Sequence, residues 1–230
     1  MSRTAYPRVV LVLAIDTATP AITAGVVELT ADRLDQLSVR VVVDARQHAE
    51  LLMPGVLAAC ADVGVKPADL AAIAVGVGPG PFTGLRVGMV TAAALGDALG
   101  LPVHGVPTLS AIAASVAADG PFVVVSDARR REVYWSCFGG DGALSDGPAV
   151  SAPAALVARI PELGAVAAAG PLAGVTGLPV VATDGPSPAG LVAVAAPALR
   201  AGAEPAPLEP LYLRRPDAVP PGGRKPVSTP

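Results

Sequence analysis

A turn rich in acidic and hydroxyl groups is the first part of this 230-residue sequence that could do chemistry. Asp16, Thr17 and Thr19 follow an apolar run, residues 9–15, that is typical of a buried strand. A carboxylate placed there can help to hold a metal ion, and hydroxyls and backbone N–H groups can contact phosphate. The turn lacks a glycine that would let the backbone wrap a phosphate. It therefore predicts a degenerate nucleotide site, or else a turn whose polar groups serve only the backbone.

A second candidate is the glycine- and proline-rich loop GVGPGPFTGLR, residues 76–86. It precedes a predicted helix, so Gly78 and Gly80 could present free N–H groups to an anion at the positive end of the helix dipole. The loop is not a P-loop, because no Gly-Lys-Ser/Thr sequence follows. A rigid turn fixed by Pro79 and Pro81 explains the same residues equally well.

Small residues recur at every fourth position of the helix predicted for residues 83–99, which makes one face of it flat. Glycine inside a helix costs about 0.5–1 kcal/mol relative to alanine, so a close contact must compensate. The helix predicted for residues 46–63, a second subunit, or both could supply that contact. We expect the interface to include His48, Leu51, Leu52, Val56, Gly84, Gly88 and Ala92.

Composition argues against several other classes of protein. The chain has two histidines and two cysteines, scattered, so neither a metal cluster nor a disulfide framework is predicted. No catalytic residue is predicted either, because no nucleophile stands beside a base in the sequence. The net charge of −3 disfavours direct binding of nucleic acid, and we interpret the basic run 129–131 as a solvated turn. Prolines and glycines break the uncharged stretch 163–183, so no membrane segment is expected.

The elements that must position these residues follow from the hydrophobic periodicity. We predict strands at 9–16, 21–27, 37–43, 70–77, 101–106, 122–126 and 132–138, and helices at 46–63, 83–99, 108–117, 153–159 and 189–200, with Thr108 capping the third helix. This order favours an α/β fold of the actin/hexokinase (ASKHA), ribonuclease-H-like type with two subdomains, the second reduced. We expect the subdomains at residues 1–106 and 107–215, and a disordered tail at 216–230.

Five stretches together resemble the TsaB family of tRNA threonylcarbamoyladenosine biosynthesis proteins. They are LAIDTATPA (13–21), RQHAELLMPGV (46–56), VGVGPGPFTGLRVGM (75–89) with GLPVHGVPTLSAIA (100–113), SDARRREVYW (126–135) and LYLRRPD (211–217). The resemblance implies a non-catalytic paralogue of TsaD, the subunit that transfers the threonylcarbamoyl group. The metal-binding histidine pair of TsaD falls at Thr108 and Ile112 here, and its glycine-rich phosphate loop falls at residues 126–129, so both are lost.

The resemblance also implies partners: TsaD, the ATPase TsaE and a second copy of the chain, with tRNA contacted only through the complex. The expected role is a scaffold in the cytoplasm for modification of adenosine 37 in tRNAs that read codons starting with A. No cofactor is required, although ATP or ADP could bind at the subunit interface. The alternatives left open are an ATP-dependent small-molecule kinase or ATPase of the same fold, a protease and a purely structural homodimer.

Overall fold

The first sheet is assembled around two long apolar strands near the N-terminus. The computed structural model describes residues 9–181 and 185–214 of the chain. The first sheet contains β1 (Val9–Asp16), β2 (Ala21–Thr30), β3 (Leu34–Gln36), β4 (Arg40–Val43), β5 (Ala72–Gly76) and β6 (Val103–Val106). Its order is β3-β2-β1-β5-β6, and β4 pairs with β2 beside β3. β1 and β5 are almost wholly buried, because helices cover both faces of the sheet.

One face of this sheet carries two adjacent helices, α1 (His48–Asp62) and α2 (Phe82–Leu99). Their inward residues, which include Leu52, Val56, Leu85 and Met89, share one core with the side chains of β1 and β5. The loop between β5 and α2 is the glycine- and proline-rich segment. The layer therefore places this loop at the carboxyl end of β1, beside the Asp16 turn.

The other face is covered by α3 (Thr108–Ala113) and by α5 (Pro188–Ala201), the last helix among the described residues. Leu191, Val192 and Leu199 of α5 pack with side chains of β1 and β2. A continuous second subdomain at residues 107–215 was expected, and this packing corrects it. The chain returns to its first sheet because that apolar face would otherwise meet water.

The second sheet has the order β11-β10-β7-β8-β9. Its strands are β7 (Phe122–Asp127), β8 (Val133–Phe138), β9 (Leu144–Ser151), β10 (Ala167–Ala169) and β11 (Val180–Val181). α4 (Pro153–Leu163) buries Leu156 against one face, and Leu109 and Ile112 of α3 pack on the other. α3 thus lies between the two sheets.

Three local predictions are corrected. The strand expected at 37–43 begins only at Arg40, as β4, and β3 was not predicted; Leu37 and Ser38 both donate to the Val26 carbonyl and separate the two strands. Thr108 is inside α3 and Pro107 occupies the cap position. The helix expected at 108–117 ends at Ala113. The tail expected at 216–230 lies outside the described residues.

Candidate functional site

Asp16 joins three parts of the chain that are distant in sequence. It is completely buried. Its Oδ1 accepts a hydrogen bond from Ala18 N at 2.7 Å, and its Oδ2 accepts one from Thr108 Oγ1 at 2.7 Å. Thr108 Oγ1 in turn accepts from Gly78 N at 3.2 Å. Burial raises the pKa of Asp16 to about 6, although both hydrogen bonds to the carboxylate act to lower it. The acidic turn, the glycine loop and α3 thus form one buried network.

The hydroxyls of the same turn are also bonded to the chain itself. Thr17 Oγ1 donates to Gly84 O at 2.7 Å and accepts from Gly88 N at 2.9 Å. Thr19 Oγ1 accepts from Ala21 N at 3.2 Å. Both threonines are buried, so neither hydroxyl faces a space that a phosphate could enter.

The glycine loop closes against the acidic turn. A Cβ atom at Gly80 would collide with the backbone of Ala18, and one at Gly76 would collide with the Asp16 carboxylate. Gly78 has a φ of 94°, a conformation that glycine adopts without strain, and both Gly78 and Gly80 are buried. Asp16, Thr17, Thr19 and Gly78 thus pack on one another inside the chain, whereas Gly80 also lines an open cleft. Nucleotide binding by Asp16, Thr17, Thr19, Gly78 and Gly80 stays a prediction.

Most of the predicted interface residues are also internal. Thr17 O would lie 2.8 Å from a Cβ at Gly84, so the small face of α2 is pressed against the acidic turn. Six of the seven residues are buried in the chain's own core, namely His48, Leu52, Val56, Gly84, Gly88 and Ala92, and only Leu51 is partly exposed. This face contacts mainly the acidic turn, which was not predicted, and reaches the predicted helix only where Gly84 meets His48 of α1. Contact of this face with a second subunit stays a prediction.

His48 has a structural position at the start of α1. Its Nε2 lies 3.0 Å from Thr19 O, and Gly84 packs against its ring. The imidazole therefore ties α1 to the acidic turn and to α2. Among the described residues no group of three or more His, Cys, Asp or Glu side chains could hold a metal ion. No helix in the described part of the chain has the length and apolar character needed to cross a bilayer.

An open cleft of about 300 Å³ lies next to the closed turn, between the two sheets. Its walls include Pro81, Phe82, Arg129, Tyr134 and Tyr212. Sequence reasoning identified the flanking motifs but not their contact. The contact between these motifs could have been suggested only by one signal in the sequence. An aromatic residue and arginine occur both at 82–86 and at 211–215.

The C-terminal segment of the described chain, residues 212–214, forms one wall of this cleft. Tyr212 stacks on Phe82 with ring centroids 4.9 Å apart, and Arg86 Nε donates to the Tyr212 hydroxyl at 2.8 Å. The Arg86 guanidinium lies 3.6 Å from the Phe82 ring centroid. Arg214 pairs with Glu132 of the second sheet. The segment therefore fastens α2 to the second sheet.

The basic run 129–131 forms the turn between β7 and β8. All three arginines are exposed, as predicted for a solvated turn, but each has a positive φ, between 54° and 64°. Arg129 N donates to Asp127 Oδ1 at 2.7 Å, and Ala128 N donates to Glu132 O at 3.0 Å. Left-handed backbone at non-glycine residues costs energy, which these turn hydrogen bonds help to offset.

Two mixed sheets that share a connecting helix, with the glycine loop after β5 lining the cleft between them, define an actin-like ASKHA fold. The structure of YeaZ from Pseudomonas aeruginosa has the same fold, with a TM-score of 0.70 and 29% identity over 89% of this chain and all of that one. An uncharacterized protein of Mycobacterium tuberculosis is 57% identical over 209 residues, which are 91% of this chain and 94% of that protein.

Two further matches define the family. The family model described as TsaD, tRNA N6-adenosine threonylcarbamoyltransferase, matches residues 42–190. The tRNA threonylcarbamoyladenosine biosynthesis protein TsaB of Bacillus subtilis is 34% identical over 124 residues, 54% of this chain and 52% of that protein. YeaZ is another name for TsaB. The chain belongs to the TsaB family, which confirms the resemblance seen in its sequence.

Proposed function

We propose that this chain is a non-catalytic subunit in the biosynthesis of threonylcarbamoyladenosine on tRNA, and that it docks on TsaD and orders the TsaD active site. The biosynthetic process is that in the name of the TsaB relative. The closed turn carries the non-catalytic part of the proposal. Where the fold would place a nucleotide, Asp16 is bonded to Thr108, and Gly80 packs on Ala18. Because the Asp16 carboxylate is buried and hydrogen-bonded within the chain, it cannot contact a bound nucleotide or substrate.

The outer face of the α1–α2 layer is the surface we propose for docking. Leu57 and Val90 are 52% and 65% exposed there, and Met53 and Val87 are partly exposed. The inner faces of both helices already cover the sheet, so these outward side chains are the ones free to meet a partner. An apolar surface on a two-helix layer suits a helical partner surface.

The remaining parts of the proposal concern partners. TsaE joins the TsaD-bound chain, and tRNA is contacted through the assembled complex, because the chain carries a net charge of −3. TsaD then modifies adenosine 37 of tRNAs that read codons starting with A. ATP or ADP, where it takes part, binds at the contact between subunits rather than inside this chain. We place the complex in the cytoplasm.

Reconstitution by omission tests the role in modification. TsaD, TsaE, threonylcarbamoyl-adenylate and unmodified tRNA are mixed with and without this chain, and modified adenosine is quantified by mass spectrometry. We expect modification only when the chain is present, and equal modification with Asp16→Asn, after circular dichroism has shown that the variant is folded. Equal modification without the chain contradicts the proposal. A folded Asp16→Asn chain that no longer supports modification favours the kinase or ATPase alternative instead.

A pull-down with TsaD tests the docking surface. Val90→Lys places a charge in the proposed apolar contact and should weaken binding on the order of tenfold or more. Val180→Lys is the matched control, since Val180 is 55% exposed but lies on β11 of the second sheet. Equal binding of TsaD by the wild type and by Val90→Lys would show that the docking surface lies elsewhere on the chain.

A further inference from the structure

A cavity of about 220 Å³ lies on the α3–α5 side of the first sheet and shares no lining residue with the cleft between the sheets. One wall is formed by alternate residues at the edge of this sheet, Val39, Val41 and Val43. The other side of β4 is covered by α1, and Asp62 of α1 forms an ion pair with Arg40 of β4. β4 is therefore a fixed wall of the cavity.

A buried hydroxyl without a partner belongs to the same lining. Thr23 of β2 is completely buried, and its Oγ1 has no hydrogen-bond partner among the described residues. Thr23 lies opposite Val41 in the ladder between β2 and β4, so the two side chains lie on the same side of the sheet and both line the cavity. A buried hydroxyl that lacks a partner costs free energy, which a bound acceptor would recover.

Two serines complete the polar part of the lining. Ser115 follows α3, and Ser187 is the N-cap of α5. Ser187 Oγ lies 2.9 Å from Ser115 Oγ and accepts from Gly190 N at 3.0 Å. Either serine can donate to the other, but the bond between them uses only one of their two hydroxyl hydrogens. The other hydrogen remains available to an acceptor, as does that of Thr23.

The rest of the lining is uncharged and mainly apolar, and consists of Ala21, Gly185, Pro186 and the three valines. An ionised group would lose hydration there without meeting an opposite charge, so the lining disfavours charged ligands. The valine wall favours an aliphatic group over water. Because a cavity of about 150 Å³ can hold a six-carbon ring, about 220 Å³ accommodates roughly seven to nine non-hydrogen atoms.

We propose that this cavity is a binding site for a small, uncharged aliphatic molecule with a carbonyl group, such as a ketone or an amide. The carbonyl oxygen accepts a hydrogen bond from Thr23 Oγ1, and the aliphatic part packs on Val39, Val41 and Val43. The free serine hydrogen is a second donor for a ligand with a further acceptor. The site lies on the side of the sheet opposite the α1–α2 face and does not rest on the proposed role with TsaD.

NMR of the valine methyl groups tests the proposal on the full chain, with 4-methyl-2-pentanone, a short branched ketone, as the probe. We expect a saturable shift of the methyl signals of Val39, Val41 and Val43. No shift is expected with 3-methylbutanoate, in which an ionised oxygen replaces the methyl group beside the carbonyl. A ketone that shifts none of these signals, as when water or the chain itself occupies the cavity, overturns the proposal. An equal response to 3-methylbutanoate overturns it as well.

Thr23→Val tests the hydrogen bond. The substitution removes the hydroxyl at nearly unchanged volume and breaks no hydrogen bond within the described part of the chain, so the variant should fold. Without this donor the dissociation constant of the ketone should rise about three- to tenfold. An unchanged dissociation constant in the folded variant contradicts the role of Thr23.

A cavity-filling substitution tests the location of the site. In Val41→Phe the larger side chain occupies the cavity and should abolish the shifts of Val39 and Val43. Val180→Phe, the same change at an exposed valine of the second sheet, is the matched control and should leave binding of the ketone unchanged. Binding that persists in Val41→Phe places the ketone elsewhere and overturns the site. Thr23→Val keeps the proposal testable if Val41→Phe fails to fold.

Discussion

Asp16 shows how one side chain can look catalytic in the sequence and be structural in the molecule. It ends a buried strand, as a metal-binding acid of this fold would. Its two carboxylate oxygens are nevertheless taken by Ala18 N and Thr108 Oγ1, and none of it is exposed. The charge is therefore a cost to folding that the hydrogen bonds only partly offset. Its type and position were readable from sequence, but its partner, 92 residues away, was not.

The raised pKa of Asp16 predicts a specific dependence of stability on pH. The folded group titrates at about 6 and the unfolded group near 3.8, so between these values the folded chain binds more protons. The contribution of Asp16 to stability is thus complete below about pH 3.8 and is lost as the pH rises through about 6. The full difference corresponds to about 3 kcal/mol at most.

Urea unfolding from pH 4 to 7.5 measures this effect by comparison with Asp16→Asn, which cannot ionise. We expect the free energy of unfolding of the wild type, relative to the variant, to fall as the pH rises. The comparison cancels the opposite pH dependence of the other carboxylates, which both proteins share. A constant difference across this range would show that Asp16 does not titrate there.

At the scale of elements, α2 shows that a sequence pattern can be real while its partner is misassigned. The small residues of its flat face do make a close contact, as their spacing predicts. That contact is the acidic turn of the same chain, since Gly84 and Gly88 lie against Thr17. Periodicity reports that a face is buried, but it carries no information about whether the covering surface belongs to the same chain or to another.

Two glycine-to-alanine substitutions separate close packing from helix propensity. In Gly88→Ala the new methyl collides with Thr17 and disturbs its two hydrogen bonds, which should cost about 1–3 kcal/mol. In Gly55→Ala of α1 the new methyl lies 3.9 Å from Ala24 Cβ, an ordinary contact, so the gain in helix propensity should stabilise the chain by about 0.5–1 kcal/mol. Chemical denaturation of both variants measures the two signs, and a stabilising Gly88→Ala would show that the turn yields at little cost.

At the scale of the whole molecule, α5 links a late part of the chain to the first sheet by packing on β1 and β2. It is the last helix among the described residues, yet it covers the first sheet. The predicted division at residue 106 failed here because the hydrophobic pattern of α5 specifies an apolar face without naming the sheet that receives it. The C-terminal segment adds a second link, through Tyr212 on Phe82 and Arg214 on Glu132.

Hydrogen exchange with mass spectrometry tests whether α5 and α4 stabilise different sheets. Leu191→Ala in α5 and Leu156→Ala in α4 each remove a fully buried side chain and should cost about 2–5 kcal/mol. We expect Leu191→Ala to increase exchange chiefly in β1 and β2, and Leu156→Ala chiefly in β7 and β8, because each side chain packs on a different sheet. Equal increases in both sheets from either variant would mean that the two sheets open as one unit.

The sequence by itself determined the types and order of most elements, the actin-like fold and the TsaB family. These follow from local periodicity and from short motifs such as GPGPFTGLR. The tertiary structure alone decided that the acidic turn is closed, that six of the seven expected interface residues are internal and that the valines of β4 are exposed. Burial and hydrogen bonding depend on which distant segments meet, and the pattern along one segment of the chain does not specify that.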